Sequence, residues 1–160
     1  MDFKQRLQKA ADRGQQVRQK KDRDAAAKAL SEEECKRLHS KYRLALTDTI
    51  EDCLHQLADQ FPGFQFETVV NDQGWGAAVR RDDLGLIDGR RDSFYSRLQL
   101  IVTPFNQYHV LDLVAKGTVR NKESFTRNHH QRLSEVDPDS FTELVDLWVL
   151  DYAESYAAAD

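Results

Sequence analysis

The spacing of apolar residues changes at Pro62 and Gly63, and this change constrains the fold more than any other feature of the sequence. Before it, mostly apolar residues recur every three or four positions, as on one side of a helix; they are His39, Tyr42, Leu46, Ile50, Cys53, Leu57 and Phe61. After it the period falls to two, which is typical of a half-buried strand; the alternating residues are Phe64, Phe66, Thr68 and Val70. Because Pro62 and Gly63 terminate helices, the sequence predicts a helix that ends near Phe61 and a β-sheet that follows it.

The segments after Val70 predict the remainder of this sheet. Turn-forming residues at 71–74 precede a second strand over residues 75–81. Further strands are predicted over residues 94–103, over residues 108–120 with a bulge at Gly117, and more weakly over residues 125–133. Residues 82–92 are predicted to form a loop. Since short connections join antiparallel neighbours, we expect one antiparallel sheet of four to five strands.

Helices are predicted at both ends of the chain. Residues 137–140 are predicted to open the last helix, with Pro138 near its first position. Ser31 with Glu34, and Ser140 with Glu143, have the spacing of capping boxes. The buried face of the last helix is predicted to contain Phe141, Leu144, Val145, Trp148 and Tyr152, widened by Leu147, Val149 and Leu150. The chain of 160 residues is long enough to bury a core without disulfides. The predicted class is therefore α+β, with a long N-terminal helix and a C-terminal helix packed on one sheet face.

The alternation also predicts which strand residues face the helices. This set is Phe66, Val70, Ala77, Val79, Leu98, Leu100, Val102, Leu111, Leu113 and Ala115. The opposite face carries polar residues and also several β-branched ones. Six of its residues are predicted to contact a partner or a second copy of the chain: Val69, Tyr95, Arg97, Ile101, Val110 and Val114. The alternative is an ordinary open face whose valine and isoleucine reflect strand propensity.

Residues 1–30 are predicted to be a basic, polar helical extension of a single α+β domain that comprises residues 31–160. The first 30 residues hold nine Lys or Arg against four Asp, which is a net charge of +5. Because the whole chain has a net charge of -4, the remainder carries -9. A basic segment on an acidic body predicts either contact with nucleic acid or an acidic partner, or a solvated helix that is rich in Lys and Arg.

Several residue clusters resemble metal or phosphate sites, and each has a simpler structural explanation. Asp48, Asp52, His55 and Asp59 share the helix face opposite the apolar stripe, so we expect them to face water. His39 falls on the apolar stripe, where a histidine is usually a satisfied core residue. His129 and His130 would point to opposite sides of a strand. Residues 82–92 lack the ligand spacing of a calcium loop, and residues 74–76 lack the third glycine and the helix of a phosphate loop.

The remaining sequence features exclude several classes of protein. The two cysteines, Cys35 and Cys53, are 18 residues apart. On one helix this spacing corresponds to about 27 Å, too far for a disulfide, which agrees with a reducing, cytoplasmic location. No apolar stretch is long enough to span a membrane, and the first residues do not resemble a secretory signal. No catalytic, cofactor-binding or metal-binding motif is evident.

Three functional hypotheses remain. The first is a non-enzymatic protein-interaction module, such as an adaptor, an assembly factor or a chaperone-like protein, which could be a homodimer. The second is nucleic-acid binding through the basic N-terminal segment. The third is a small enzyme or ligand carrier with a cleft between sheet and helix, in which Tyr95, Arg97, Asp112 and His109 would be the residues to inspect, although alternation turns His109 away from the other three.

Overall fold

The structure is a computed structural model that describes residues 2–30 and 32–159, without the side chains of residues 26–30. The described residues form the helices α1 (Phe3–Leu30), α2 (Glu32–Gln60) and α3 (Pro138–Ala158), the strands β1 (Gln65–Asn71), β2 (Gly74–Ile87), β3 (Arg90–Val102), β4 (Val110–Val119) and β5 (Lys122–Arg132), and a short 3-10 turn (Leu133–Glu135). Residues 1–37 and residues 38–160 form two compact units. The second contains the sheet and α3, and the predicted α+β class is confirmed. The predicted domain boundary after residue 30 stays a prediction.

The five strands form one antiparallel sheet in which each strand lies beside its neighbour in sequence. The weak strand predicted over residues 125–133 is confirmed as β5. The bulge predicted at Gly117 is also confirmed, because the pairing of β4 with β5 shifts between Gly117 and Thr118. Each connection is a hairpin, so every ladder joins segments that are close in sequence.

The loop predicted for residues 82–92 is wrong, because β2 and β3 continue through it as a two-stranded ribbon. Leu84 pairs with Ser93 and Leu86 pairs with Arg91. The chain reverses at Asp88 and Gly89, whose φ angles are 51° and 77°, and a two-residue turn of this kind needs positive φ at both positions. The Asp-Gly pair was the available signal for the hairpin, but the charged residues around it obscured the strand pattern.

The core lies between one sheet face and the helices α2 and α3. The register places all the residues predicted for this face on it. All of them are buried except Phe66, which is half-buried, and Val70, which is exposed on the edge strand. The helices contribute side chains that are at most 1% exposed: Ile50 and Leu54 from α2, and Phe141, Val145 and Tyr152 from α3. Burial of each such side chain stabilises the fold by about 1.5–3 kcal/mol.

The helix α3 begins at Pro138, which confirms the predicted opening at residues 137–140 but lies almost one turn before the predicted capping box. Its N-cap is Asp137, whose carboxylate accepts a hydrogen bond from the Asp139 backbone N–H at 3.2 Å. The box formed by Ser140 and Glu143 is therefore wrong, because Ser140 lies inside the helix and its hydroxyl donates to the Asp137 carbonyl oxygen at 2.7 Å. Pro138 sets this start, since proline suits the first helical position. The other predicted box depends on Ser31, which is outside the described residues.

The outer side of α3 is more apolar than the sequence analysis allows. Leu147 and Leu150 were predicted to widen the buried face, and this is wrong, because they are 50% and 66% exposed. Val149 is buried as predicted. A helix that packs on a sheet buries one side, and at about 100° per residue Leu147 and Leu150 lie on the side away from Val145 and Tyr152. No helix of the described residues is both long and apolar enough to cross a membrane.

Candidate functional site

The sheet face turned away from α2 and α3, called the second face below, contains all six residues predicted to contact a partner. Val69, Ile101 and Val114 lie in one row across the sheet, because Val69 pairs with Gly76 of β2, Gly76 with Ile101, and Ile101 with Val114. Tyr95 and Arg97 follow at alternate positions along β3, and Val110 lies on β4. The structure places these residues in three different environments, and partner contact through them stays a prediction.

The first environment is a small buried cluster. Val69 and Ile101 are 6% and 4% exposed, and they form this cluster with Ala78, which is fully buried. Val114 is partly buried and packs against it. Gly76 lies between these residues on β2, and a Cβ atom there would be 2.0 Å from the Leu100 carbonyl oxygen. The close approach of β2 and β3 therefore requires glycine at this position, and most of the apolar surface of the second face is already buried within the protein.

The second environment is a cavity of about 260 Å³, called the Arg97 cavity. Its lining residues come from β3, β4 and the turn before β2: Gln73, Tyr95, Arg97, Gln99, Lys116 and Thr118. The Arg97 guanidinium donates to Glu67 through Nη2 at 3.1 Å, while its Nε is buried without a hydrogen-bond partner among the described residues. Arg80 also approaches Glu67, at 4.0 Å. Two cations therefore share one carboxylate at the edge of this cavity.

The third environment is a larger cavity of about 730 Å³, called the Asp112 cavity. It is lined by residues from β4, β5 and the segments that follow β3 and β5: Asn106, Tyr108, Val110, Asp112, His130, Gln131, Arg132 and Glu135. Oδ1 of Asp112 is buried and lacks a hydrogen-bond partner among the described residues. Burial raises the pKa of Asp112, and the nearby His130 opposes this shift. Asp112 therefore contributes to the wall of the cavity, while its Oδ1 atom is buried and retains an unused capacity to accept a hydrogen bond.

Other histidines singled out in the sequence have structural contacts. His39 is 2% exposed and its Nε2 lies 3.0 Å from the Thr103 carbonyl oxygen. Burial lowers the pKa of His39, so we assign it as a neutral ring that donates this hydrogen bond. His129 packs edge-on against Phe141 on the helix side, whereas His130 lines the Asp112 cavity on the second face. This is the opposite orientation that strand alternation predicts.

The residues considered as metal or ligand sites are not brought together. The side chains of Asp48, Asp52, His55 and Asp59 are all exposed, and His55 stacks on Phe66 at 3.8 Å between ring centroids. Among the described residues, no group of three or more His, Cys, Asp or Glu could hold a metal ion. His109 has a φ of 51° and stacks on Phe105. Of the four residues proposed for a cleft, Tyr95 and Arg97 share one cavity and Asp112 lines another.

A further surface, which the sequence analysis missed, lies between α2 and α3. A groove of about 460 Å³ separates the two helices. Its lining is Cys53, Gln56, Leu57 and Gln60 from α2, and Asp146, Val149, Leu150 and Ala153 from α3. The Cys53 thiol donates to Asp146 at 3.2 Å, and burial together with this bond raises the pKa of Cys53 to about 12. The exposed Leu147 and Leu150 would have revealed this groove if the buried width of α3 had been predicted correctly.

The helix α1 has a different character from α2 and α3. Every described side chain from Asp2 to Ala25 is exposed, including Phe3 at 75%, Leu7 at 58% and Val17 at 57%. This helix therefore exposes apolar and basic side chains together.

Comparisons with known proteins find no match to the chain. No protein-family model matches the chain, and neither a curated protein nor a solved structure matches it. Functional inference therefore depends on the chemistry of the surfaces described above.

Proposed function

We propose that this chain is a non-enzymatic protein-interaction module of the adaptor, assembly or chaperone-like kind, and that α1 is its main contact segment. The observation that supports the proposal is the exposure of every described side chain of α1, apolar ones included. An isolated helix of this length is marginal in water, because most helix stability in proteins comes from packing of an apolar side. Burial of Phe3, Leu7 and Val17 on a partner would contribute about 1.5–3 kcal/mol each.

The second face provides a further contact surface in this proposal. Tyr95 and Arg97 remain accessible at the Arg97 cavity, and Val110 borders the Asp112 cavity. Val69 and Ile101 would instead support that surface from below, because they are already buried. A cytoplasmic location is part of the proposal, supported by the sequence spacing of Cys35 and Cys53, which on one helix is too long for a disulfide between them.

Comparison of partner capture by three forms of the protein tests the proposal. The full chain, a chain lacking residues 1–30, and the triple variant Phe3→Ser/Leu7→Ser/Val17→Ser would each be used as bait in a native lysate. We expect the full chain to retain proteins that the other two lose. The matched control is Gln8→Ser/Gln15→Ser/Gln19→Ser, which changes the polar side of the same helix and should capture as well as the unmodified chain. Equal capture by all four proteins would contradict the proposal.

Nucleic-acid binding through α1 is a competing proposal, supported by the net charge of +5 over residues 1–30. It predicts an affinity for DNA or RNA that falls steeply as salt concentration rises, because phosphate contacts release counterions. A gel-shift titration at low and at physiological salt separates the two proposals. Binding that is lost with residues 1–30 would favour nucleic acid, whereas the absence of a shift at low salt would eliminate it.

A small-ligand site is supported by one observation, the position of Asp112 in the wall of a cavity of about 730 Å³. The volume of this cavity lies within the roughly 300–1,000 Å³ that is usual for ligand sites. Such a site would select a ligand that donates a hydrogen bond, such as a small amine. Thermal unfolding in the presence of a panel of small amines, compared between the unmodified protein and Asp112→Asn, tests this. A stabilising compound that acts equally on both proteins would place its binding elsewhere.

A further inference from the structure

The groove between α2 and α3 combines an apolar floor with exposed apolar side chains. Leu57 and Val149 are buried at 4% and 7%, while Leu150, which also lines the groove, is 66% exposed. Leu147 lies on the same outward side of α3 and is 50% exposed. An exposed apolar surface of this kind, bordered by polar residues, is typical of a site where another protein segment binds.

The borders of this groove are acidic. Asp52 and Asp59 lie beside the lining residues of α2, and Glu143 and Glu154 lie beside those of α3; all four are exposed. Asp146 is in the lining itself. Neither α3 nor residues 44–60 of α2 contain a lysine or an arginine. The groove therefore favours a ligand that is apolar in the middle and positively charged at its borders.

The described side chains of α1 have this chemistry. At about 100° per residue, five small or apolar residues fall within an arc of roughly 80°: Phe3, Leu7, Ala10, Gly14 and Val17. Four basic residues form an adjoining ridge, and they are Arg6, Lys9, Arg13 and Lys20. All nine are exposed. The glutamines of α1 lie on the other side of the helix, so one side of α1 is apolar and basic together.

The dimensions of the two surfaces agree as well. The groove lining extends over seven residue steps on each helix, from Cys53 to Gln60 and from Asp146 to Ala153, which is about 10 Å. Phe3 to Ala10 covers the same number of steps on α1. Ala10 and Gly14 are small enough to let the backbone of α1 approach α2 and α3 closely, while Phe3 and Leu7 supply the bulk that would fill the groove. Helices that pack in this way lie about 8–10 Å apart.

We propose that the groove between α2 and α3 binds α1 of a second copy of this chain, so that two copies exchange their N-terminal helices. This inference rests on the proposed function and names the partner of the contact segment. The charges support a second copy, because the basic ridge of α1 is complementary to the acidic borders of the groove, whereas direct pairing of two α1 helices would bring like charges together. The apolar stripe of α1 and the outer leucines of α3 would both become buried.

Analytical ultracentrifugation of the full chain tests the proposal directly. We expect a concentration-dependent equilibrium between a monomer of 18.5 kDa and a species of twice that mass, and weaker association at higher salt, because exposed charge pairs are screened. A monomer at all concentrations up to about 100 μM would overturn the proposal. If such a monomer still captured other proteins through residues 1–30, the proposed interaction module would be supported and the exchange of helices would be contradicted.

Single substitutions assign the contact to the two surfaces. Leu7→Asp in α1 and Leu150→Asp in the groove should each weaken dimerisation at least about tenfold, because each places a charge in the apolar centre of the interface. Both side chains are largely exposed, so neither change should unfold the chain, which circular dichroism would verify. The matched control is Leu84→Asp in the β2–β3 ribbon, where Leu84 is 81% exposed. Equal dimerisation of Leu150→Asp and the unmodified protein would overturn the proposed site.

Reversing the charges on α1 and on the borders of the groove distinguishes this arrangement from other dimers. Arg6→Glu/Lys9→Glu/Arg13→Glu/Lys20→Glu makes the ridge of α1 acidic, and Asp52→Lys/Asp59→Lys/Glu143→Lys/Glu154→Lys makes the groove borders basic. We expect each variant alone to be monomeric and an equimolar mixture of the two to form a heterodimer, because in the mixture each α1 meets a groove of opposite charge. Arg23→Glu, on another side of α1, and Asp72→Lys/Glu135→Lys, away from the groove, serve as controls that should dimerise alone. A mixture that stays monomeric would overturn the proposal.

Discussion

Both faces of the sheet carry apolar residues at alternate positions of its strands, but these residues are buried in different ways. On the face covered by helices, Val79, Leu98 and Leu100 are completely buried beneath α2 and α3. On the second face, Val69 and Ile101 are nearly as buried, although neither α2 nor α3 packs there. Their neighbours on the sheet supply the cover, and polar cavities lie to either side.

This difference shows that apolar residues on an uncovered sheet face do not by themselves define a contact surface. A patch of valine and isoleucine in an alternating pattern predicts an exposed apolar surface only if the sheet face is flat and nothing covers it. Here β2 and β3 approach closely at Gly76, and Val69, Ala78 and Ile101 form a buried cluster against which Val114 packs. The surface available for binding is instead polar on the second face and apolar on the outer side of α3.

The largest expected effect comes from a comparison of Leu98→Ala with Ile101→Ala. Leu98→Ala leaves a cavity in the helix-covered core and should reduce the free energy of unfolding by about 2–5 kcal/mol. Ile101→Ala should cost less than half as much as Leu98→Ala, because the small cluster can partly collapse and admit water. Urea denaturation of both variants measures the difference. Equal losses would show that the second face contains a core of the same kind as the first.

The dependence of stability on pH should have opposite signs at His39 and Asp112. Burial lowers the pKa of His39 from its ordinary value of 6.5, so the unfolded chain binds this proton more readily than the folded protein does. His39 therefore reduces stability as the pH falls from about 7 through 6.5 and below. His39→Gln, which keeps a hydrogen-bond donor, should show a smaller loss between pH 7 and pH 5. An unchanged pH profile of unfolding would contradict the neutral, donating ring.

Asp112 should make the stability of the protein fall as the pH rises. Burial raises the pKa of its carboxyl, so the folded protein binds this proton more readily than the unfolded chain does. The contribution of Asp112 to stability therefore falls as the pH rises from its ordinary value of 3.8 through the raised pKa of the folded state. Asp112→Asn should be more stable than the unmodified protein at pH 7 and similar to it near pH 3. Thermal unfolding at both pH values provides the measurement.

The smallest effect is expected from the ion pairs that border the Arg97 cavity. The side chains of Glu67 and Arg97 are 40% and 32% exposed, and pairs of this exposure contribute roughly 0.2–1 kcal/mol. Glu67→Gln should therefore change the free energy of unfolding by less than about 1 kcal/mol at low salt and by less still at high salt. A loss of the size expected for Leu98→Ala would show that these charges hold the second face together.

Features with a strong local signal could be predicted from the sequence. The end of α2 at Pro62 and Gly63, the bulge at Gly117 and the start of α3 near Pro138 depend on backbone chemistry that a few residues specify. The residues facing the helices follow from the period of two, because one register places them all on the same side. The sequence also contained the signal for the β2–β3 hairpin at Asp88 and Gly89, which was outweighed by the surrounding charges.

The candidate surfaces could not be predicted in the same way, because they depend on how wide a helix face becomes buried and how closely strands approach. Leu147 and Leu150 are as apolar as the buried residues of α3, and the packing of a single sheet against one side of the helix leaves them exposed. Ile101 is the reverse case, since it lies on the uncovered face and is still buried. The Arg97 and Asp112 cavities likewise bring together residues from separate strands and loops.

The order of the elements has a consequence for how the chain folds. Because each strand pairs with the one before it, the sheet can assemble by successive hairpins, with contacts of low sequence separation that favour fast folding. The helix α3, which covers the apolar face of the sheet together with α2, follows the sheet in sequence and supplies Trp148 and Tyr152 to the core. During synthesis the apolar side of the sheet would therefore stay partly uncovered until α3 has left the ribosome. A chain that is truncated before α3 should aggregate, because the apolar side of its sheet stays partly exposed to water.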